Sequence, residues 1–203
     1  MTRLYCVLSL LGVISCSYGQ YSRSEAVGNI SYGSINSGSG DLATTTGALG
    51  YNQFFTSHFA WVAEYRFASG VDEPKTLGEV YTQKSLNYVS AQVSYYPFAI
   101  KNESHLPALR GFHVSVGPSF VFGKSAFEDA SYVTTVDNVV TYRWSHISIE
   151  HLSGIGFLIT AGYKYHFERF SLGARIDLSS YTNTDGYSII GIEGSVDLGK
   201  RKN

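Results

Sequence analysis

The stretch Trp144-Ser145-His146-Ile147-Ser148-Ile149-Glu150-His151 holds residue types at a spacing that could do chemistry. On an extended strand, residues two apart share a face, so His146, Ser148 and Glu150 would stand in one row. In that row His146 is placed to act as general base, Ser148 as nucleophile and Glu150 as the acid orienting the histidine. A metal site built on His146, Glu150 and His151 fails on the same geometry, because the odd separation of the histidines turns them to opposite faces. A second set consists of Glu64, Arg66, Lys164, Arg175, Asp177, Glu193 and Asp197, of both signs and far apart in the chain. Its chemistry is ion pairing: a network that fills an interior and holds strand register. A gated proton or ion path is the sharper alternative.

What must position these residues is a set of strands. Residues 152–167, LSGIGFLITAGYKYHF, put Ile155, Phe157, Ile159, Ala161, Tyr163, Tyr165 and Phe167 on one face. The other face carries Gly154, Gly156, Leu158, Thr160, Gly162, Lys164 and His166, mostly small or polar. Strict alternation makes this a ribbon with an oily side and a tight polar side. Its length exceeds the five or six residues usual in a soluble domain, and suits the roughly nine to eleven of a tilted bilayer-crossing strand.

The pattern recurs. Strands are predicted over 25–34, 44–54, 59–67, 86–97, 112–122, 170–180 and 188–198, with loops at 35–42, 69–84 and 98–110 and turns at 55–57, 168–169 and 181–186. Pro118 falls on the oily side of its strand and cannot donate to a ladder, which predicts a bulge or fraying there. Residues 123–151 form the longest interruption, with 132–144 a hairpin extension of a large loop. The predicted fold is all-β: a closed antiparallel up-and-down transmembrane barrel of about eight strands. It must close, since lipid offers no partner to an open edge.

Charged residues make up 15% of the 203-residue chain and aromatics another 15%, led by 16 Tyr. Soluble proteins carry roughly 25% charge, so a wet exterior is poorly supplied. A soluble lipocalin-like barrel is the rival; its lumen face, rich in Gly, Ser and Thr, is too small-featured to hold an apolar ligand. The formal net charge of -1 gives no case for nucleic acid. Residues 1–19 read as a signal peptide cleaved before Gln20, with Arg3 leading an apolar core at 4–14, leaving 20–203 as one barrel domain. The leader takes Cys6 and Cys16, the only cysteines, so no disulfide or thiolate site remains. Val13-Ile14-Ser15-Cys16 resembles a lipobox, and lipidation of Cys16 is the alternative processing.

The tight aromatic-flanked turn followed by a glycine-bearing strand, as in YHFERFSLGARIDL and YNQFFTSHFAWVAEYRF, resembles small outer-membrane β-barrels of the OmpA/OmpX type. The resemblance covers most of 25–199 and implies location and fold, not a reaction. Such barrels often end on an aromatic residue read by the assembly machinery, whereas this chain ends Asp197-Leu198-Gly199-Lys200-Arg201-Lys202-Asn203. The pair His146 and Ser148 is similar to the His-x-Ser of outer-membrane lipid A deacylases, with Ile149 where Asn is usual. A polar strand rim is the plainer account of that segment. The expected protein is therefore a non-catalytic monomer without cofactor or metal. Its partners are outer-membrane lipid, the assembly machinery and an extracellular ligand held by the loops at 69–84 and 123–151.

Overall fold

A computed structural model describes residues 23–37, 40–72, 82–98, 111–136, 139–167, 169–182 and 186–199. Eight strands follow in order: β1 (Ser24–Ser37), β2 (Gly40–Phe54), β3 (Phe59–Asp72), β4 (Thr82–Tyr95), β5 (Phe112–Val136), β6 (Val139–His166), β7 (Phe170–Tyr181) and β8 (Tyr187–Asp197). Each pairs antiparallel with its sequence neighbour, and β1 pairs with β8, so the sheet closes into a barrel with no free edge around its circumference. The predicted leader and its Cys16 alternative lie outside the described residues.

Alternation decides the two faces. Ile155, Phe157, Ile159, Tyr163 and Tyr165 point outward, with Phe157 66% exposed, while Leu158, Thr160 and Lys164 on the same strand are buried. The same division holds for Ile176 and Leu178 against Arg175 and Asp177 on β7, and for Tyr65 and Phe67 against Glu64 and Arg66 on β3. An apolar exterior around an ionic interior is the reverse of a lipocalin-like barrel, and it matches a wall immersed in lipid. Aromatic rings cluster near the end that carries both chain termini: Phe59 packs on Tyr95, Phe55 on Trp61, and Tyr165 on Phe167. Such a girdle is the usual occupant of a headgroup region.

Strands run further than alternation predicts at the opposite end. The stretch 35–42, expected as a loop, is strand on both sides of 38–39. In the expected loop 69–84, β3 reaches Asp72 and β4 begins at Thr82. The largest difference is at 123–151, which is not an interruption: β5 and β6 stay paired from Phe112↔Tyr163 out to Val136↔Val139. Register shifts between Glu128 and Ala130 and between Ala130 and Ser131 are the irregularity in that ladder. Pro118 produces no bulge. It pairs normally with Phe157 on β6, and on the β4 side the ladder skips from Ser90↔Ser119 to Val93↔Val116 without changing register. The missing rungs lie where proline lacks a donor. Gly117 fits the gap, since a Cβ there would stand 2.1 Å from the Ala91 carbonyl oxygen.

Candidate functional site

The lumen is filled in layers. At the end bearing the termini, Phe54, Ala60 and Tyr96 form a small apolar floor. Above it lie the ionic groups, and beyond these Tyr88, Tyr181 and Tyr187 pack ring against ring. Ile35, Leu42, Leu86, Val121, Leu158 and Ile189 complete a larger buried cluster with those tyrosines at the other end.

The central ionic layer is a four-membered ring spanning the bore. Glu64 and Arg66 come from β3, while Arg175 and Asp177 come from β7, which lies diametrically opposite in an eight-strand closure. Arg175 donates from Nη1 to Glu64 Oε2 at 2.6 Å and from Nη2 to Asp177 Oδ1 at 2.7 Å. Arg66 Nη2 donates to Glu64 Oε1 at 2.7 Å and to Asp177 Oδ2 at 2.6 Å. Thr160 donates a further bond to Asp177 at 2.6 Å, and the Arg66 guanidinium lies over the Tyr187 ring at 5.2 Å. Charges alternate around this ring, which offsets the cost of removing all four from water.

A second cluster sits nearer the termini. Lys164 Nζ donates to Glu25 Oε2 at 3.2 Å, Ser195 donates to the same oxygen at 3.2 Å, and Arg23 donates to Glu25 Oε1 at 2.7 Å. Glu193 adds His113 to the central ring, with Oε2 3.8 Å from Arg175 Nη1 and Oε1 3.3 Å from His113 Nε2. Between the two clusters is a cavity of ≈ 20 Å³ bordered by Glu64, Gln92, His113, Lys164, Arg175 and Glu193, room for about one water.

Six of the seven charged residues expected on the inward face are thus buried in these layers: Glu64, Arg66, Lys164, Arg175, Asp177 and Glu193. Asp197 differs. It shares the inward parity but sits at the rim, its side chain 31% exposed and 3.5 Å from Arg23. Glu25, 1% exposed, is a full member that sequence reasoning missed. It shares parity with the inward-facing Val27 and Asn29, and that parity was the available signal.

The expected catalytic row lies elsewhere, on the part of β6 that runs beyond its pairing with β7. That pairing begins at Gly156↔Tyr181. Ser148 is half-buried and pairs with Phe127; Glu150 is exposed and pairs with Ser125. His146 pairs with Ala130 at the register shift, and its side chain lies outside the described residues.

A closed eight-strand antiparallel barrel, greasy outside and ionic inside, defines a small integral outer-membrane β-barrel. No protein-family model and no curated protein matches the chain. Among solved structures it is similar to Ail, the attachment invasion locus protein of Yersinia pestis, with TM-score 0.55 and 10% identity over 88% of this chain and 100% of that one. Neisserial surface protein A gives TM-score 0.48 at 12% identity, over 86% of this chain and 95% of that one. The N-terminal barrel of Pseudomonas aeruginosa OprF gives 0.45 at 14%, over 88% and 98%. The Ail structures carry the comparison, and identity this low speaks to the fold alone.

Proposed function

We propose that the chain is a sealed outer-membrane barrel that presents the β5–β6 hairpin as an interaction surface, without catalysis and without an open pore. One observation carries the reading. β4 pairs with β5 only as far as Thr82↔Phe127, and β7 pairs with β6 only from Gly156, while β5 and β6 remain paired to Val136↔Val139. The hairpin therefore stands past its neighbours on both sides, with unpaired backbone groups along both edges among the described residues. A two-edged ribbon standing on a membrane-embedded base is a surface open to contact. An even strand count places both termini on one side, and the hairpin tip on the other.

The sealed lumen is supported by the ionic ring, the tyrosine layer and the apolar cluster, which leave a central cavity of only ≈ 20 Å³. Export follows from the leader at 1–19, with mature protein beginning at Gln20; an intact mass carrying lipid on Cys16 would replace that processing. Ail was crystallised with the heparin analogue sucrose octasulfate, so a sulfated sugar is a concrete first probe for the hairpin.

The test is a chain in which 129–145 are replaced by a short Gly-Ser turn. A presented surface is dispensable for folding, so the shortened barrel should keep its difference in gel mobility between boiled and unboiled samples. On intact cells, a cysteine at Asn138 in the full-length chain should react with a membrane-impermeant maleimide. A shortened chain that no longer folds, or a tip shielded from the reagent, would remove the reading. Lipid A incubated with the purified barrel should release no acyl chain; release abolished by Ser148→Ala would establish the hydrolase instead.

A further inference from the structure

The outward faces of the eight strands are almost free of acidic and basic side chains among those described. Among the strand residues whose side chains are described, the outward faces carry one lysine and one histidine, and no arginine or carboxylate. Those two, Lys124 on β5 and His151 on β6, are direct register partners.

Their position is equally specific. Three successive outward rungs cross β4, β5 and β6. The first is Val89–Phe120–Ile155, wholly apolar and exposed; the second is Asn87–Phe122–Ser153; the third is Ser85–Lys124–His151. The wall thus turns from greasy to cationic within two rungs, at the end away from the chain termini. The second and third rungs line a shallow surface depression of ≈ 440 Å³. Neither Lys124 nor His151 has an ion pair or hydrogen bond to another described residue. Asn87 Oδ1 is already occupied by the Tyr65 hydroxyl at 2.5 Å, which leaves the Asn87 amide as a donor. Two hydroxyls, one amide, an ammonium and an imidazole thus border one depression as possible donors, a set that suits an oxyanion.

We infer that this depression binds the phosphate of a lipid headgroup in the leaflet at the hairpin end of the barrel. Lys124 supplies the charge and His151 a ring N–H, and the acyl chains run down over Phe122, Phe120 and Ile155. A basic side chain on a lipid-facing wall is costly in hydrocarbon but favourable at the level of anionic headgroups, where its apolar stem still packs on the wall. Lipid is favoured over free phosphate because the donors open directly onto an apolar stripe.

The inference rests on the membrane reading proposed above, and the experiment separates the two. Wild type and the double variant Lys124→Gln/His151→Gln are purified in a neutral maltoside detergent. Each is titrated by native mass spectrometry with diphosphorylated lipid A, with the same lipid stripped of phosphate, and with inorganic phosphate. Wild type should hold one phosphorylated lipid roughly tenfold more tightly than the double variant or than the stripped lipid, as expected for the loss of a charge-assisted contact. Equal retention by wild type and variant, or of stripped and phosphorylated lipid, overturns the site. Saturation by inorganic phosphate at the concentration that saturates with lipid overturns the lipid assignment. The boiled-against-unboiled gel shift is read on both proteins: its loss from wild type would count against the membrane barrel itself. Should the double variant lose it, each single substitution is titrated in its place, and retention equal to wild type in both overturns the site.

Discussion

Glu64 and Arg175 are 111 positions apart in the chain and 2.6 Å apart in the lumen, joined across the full width of the barrel. The contact needs all of the intervening strands in place, so it reports closure of the sheet, and not local order. Removing one partner leaves a buried charge uncompensated, at a cost of about 3–5 kcal/mol. Glu64→Gln should therefore lower the temperature at which the unboiled gel form converts to the unfolded one. Arg66→Ala should do the same. A conversion temperature equal to wild type for both would show that the ring contributes nothing to holding the barrel.

The same ring predicts non-additivity. Glu64→Leu with Arg175→Leu removes both halves of the cross-lumen pair and leaves Arg66 with Asp177. The double variant should lose less stability than the two single variants summed, because the penalty of an orphaned charge is not incurred twice. Unfolding in urea within lipid vesicles measures all three. Strict additivity would mean that the two residues do not act through each other.

The wall makes a contrasting prediction. Phe157 is 66% exposed in the middle of β6, so Phe157→Arg places a charge in hydrocarbon, at roughly 2–4 kcal/mol near the bilayer midplane. Phe157→Leu should cost far less. The comparison is made by folding into vesicles of defined thickness. Equal tolerance of Arg and Leu would place this face in water.

Much of this was legible along the chain. Within 152–167 the period of two is strict because one side meets lipid and the other meets side chains, so each residue type reports its face. Parity alone sets Lys164, Arg175, Asp177 and Glu193 on the inward face. Parity does not say which charge meets which, because that depends on how far each strand is staggered on closure. Glu64 meeting Arg175 is a consequence of closure and carries no local mark. Glu25 was overlooked because β1 alternates weakly, with Gly28 and Gly33 on it offering no side chain to score. The hairpin at 123–151 resembles an interruption in the sequence for a physical reason. Once strands leave the membrane, both faces can be polar, and the alternation vanishes while the backbone ladder continues.

Sealing of the lumen is open to direct measurement. Tyr88, Tyr181 and Tyr187 pack ring against ring within the apolar cluster next to the ionic ring, so purified barrel in a planar bilayer should show no steady conductance step. Removing the rings in Tyr88→Ala/Tyr187→Ala should admit a small, measurable current. A large ohmic conductance in the wild-type protein would contradict a filled bore.

Gly117 tests the close approach beside Pro118. A Cβ at that position would stand 2.1 Å from the Ala91 carbonyl oxygen, so Gly117→Ala must force β4 and β5 apart at the rungs already missing. The expected result is slower folding into vesicles and a lower conversion temperature on gels. Unchanged behaviour would mean that the two strands have slack there.

The central claim is the orientation of the ribbons, and a cysteine scan along β6 tests it most directly. The two native cysteines are Cys6 and Cys16, so in a chain beginning at Gln20 single cysteines at 155 through 163 can each be spin-labelled and reconstituted in vesicles. Collision with lipid-dissolved oxygen should peak at 155, 157, 159, 161 and 163 and fall at the positions between. Peaks at 156, 158, 160 and 162, or a profile with no period of two, would contradict a barrel with its greasy side in lipid.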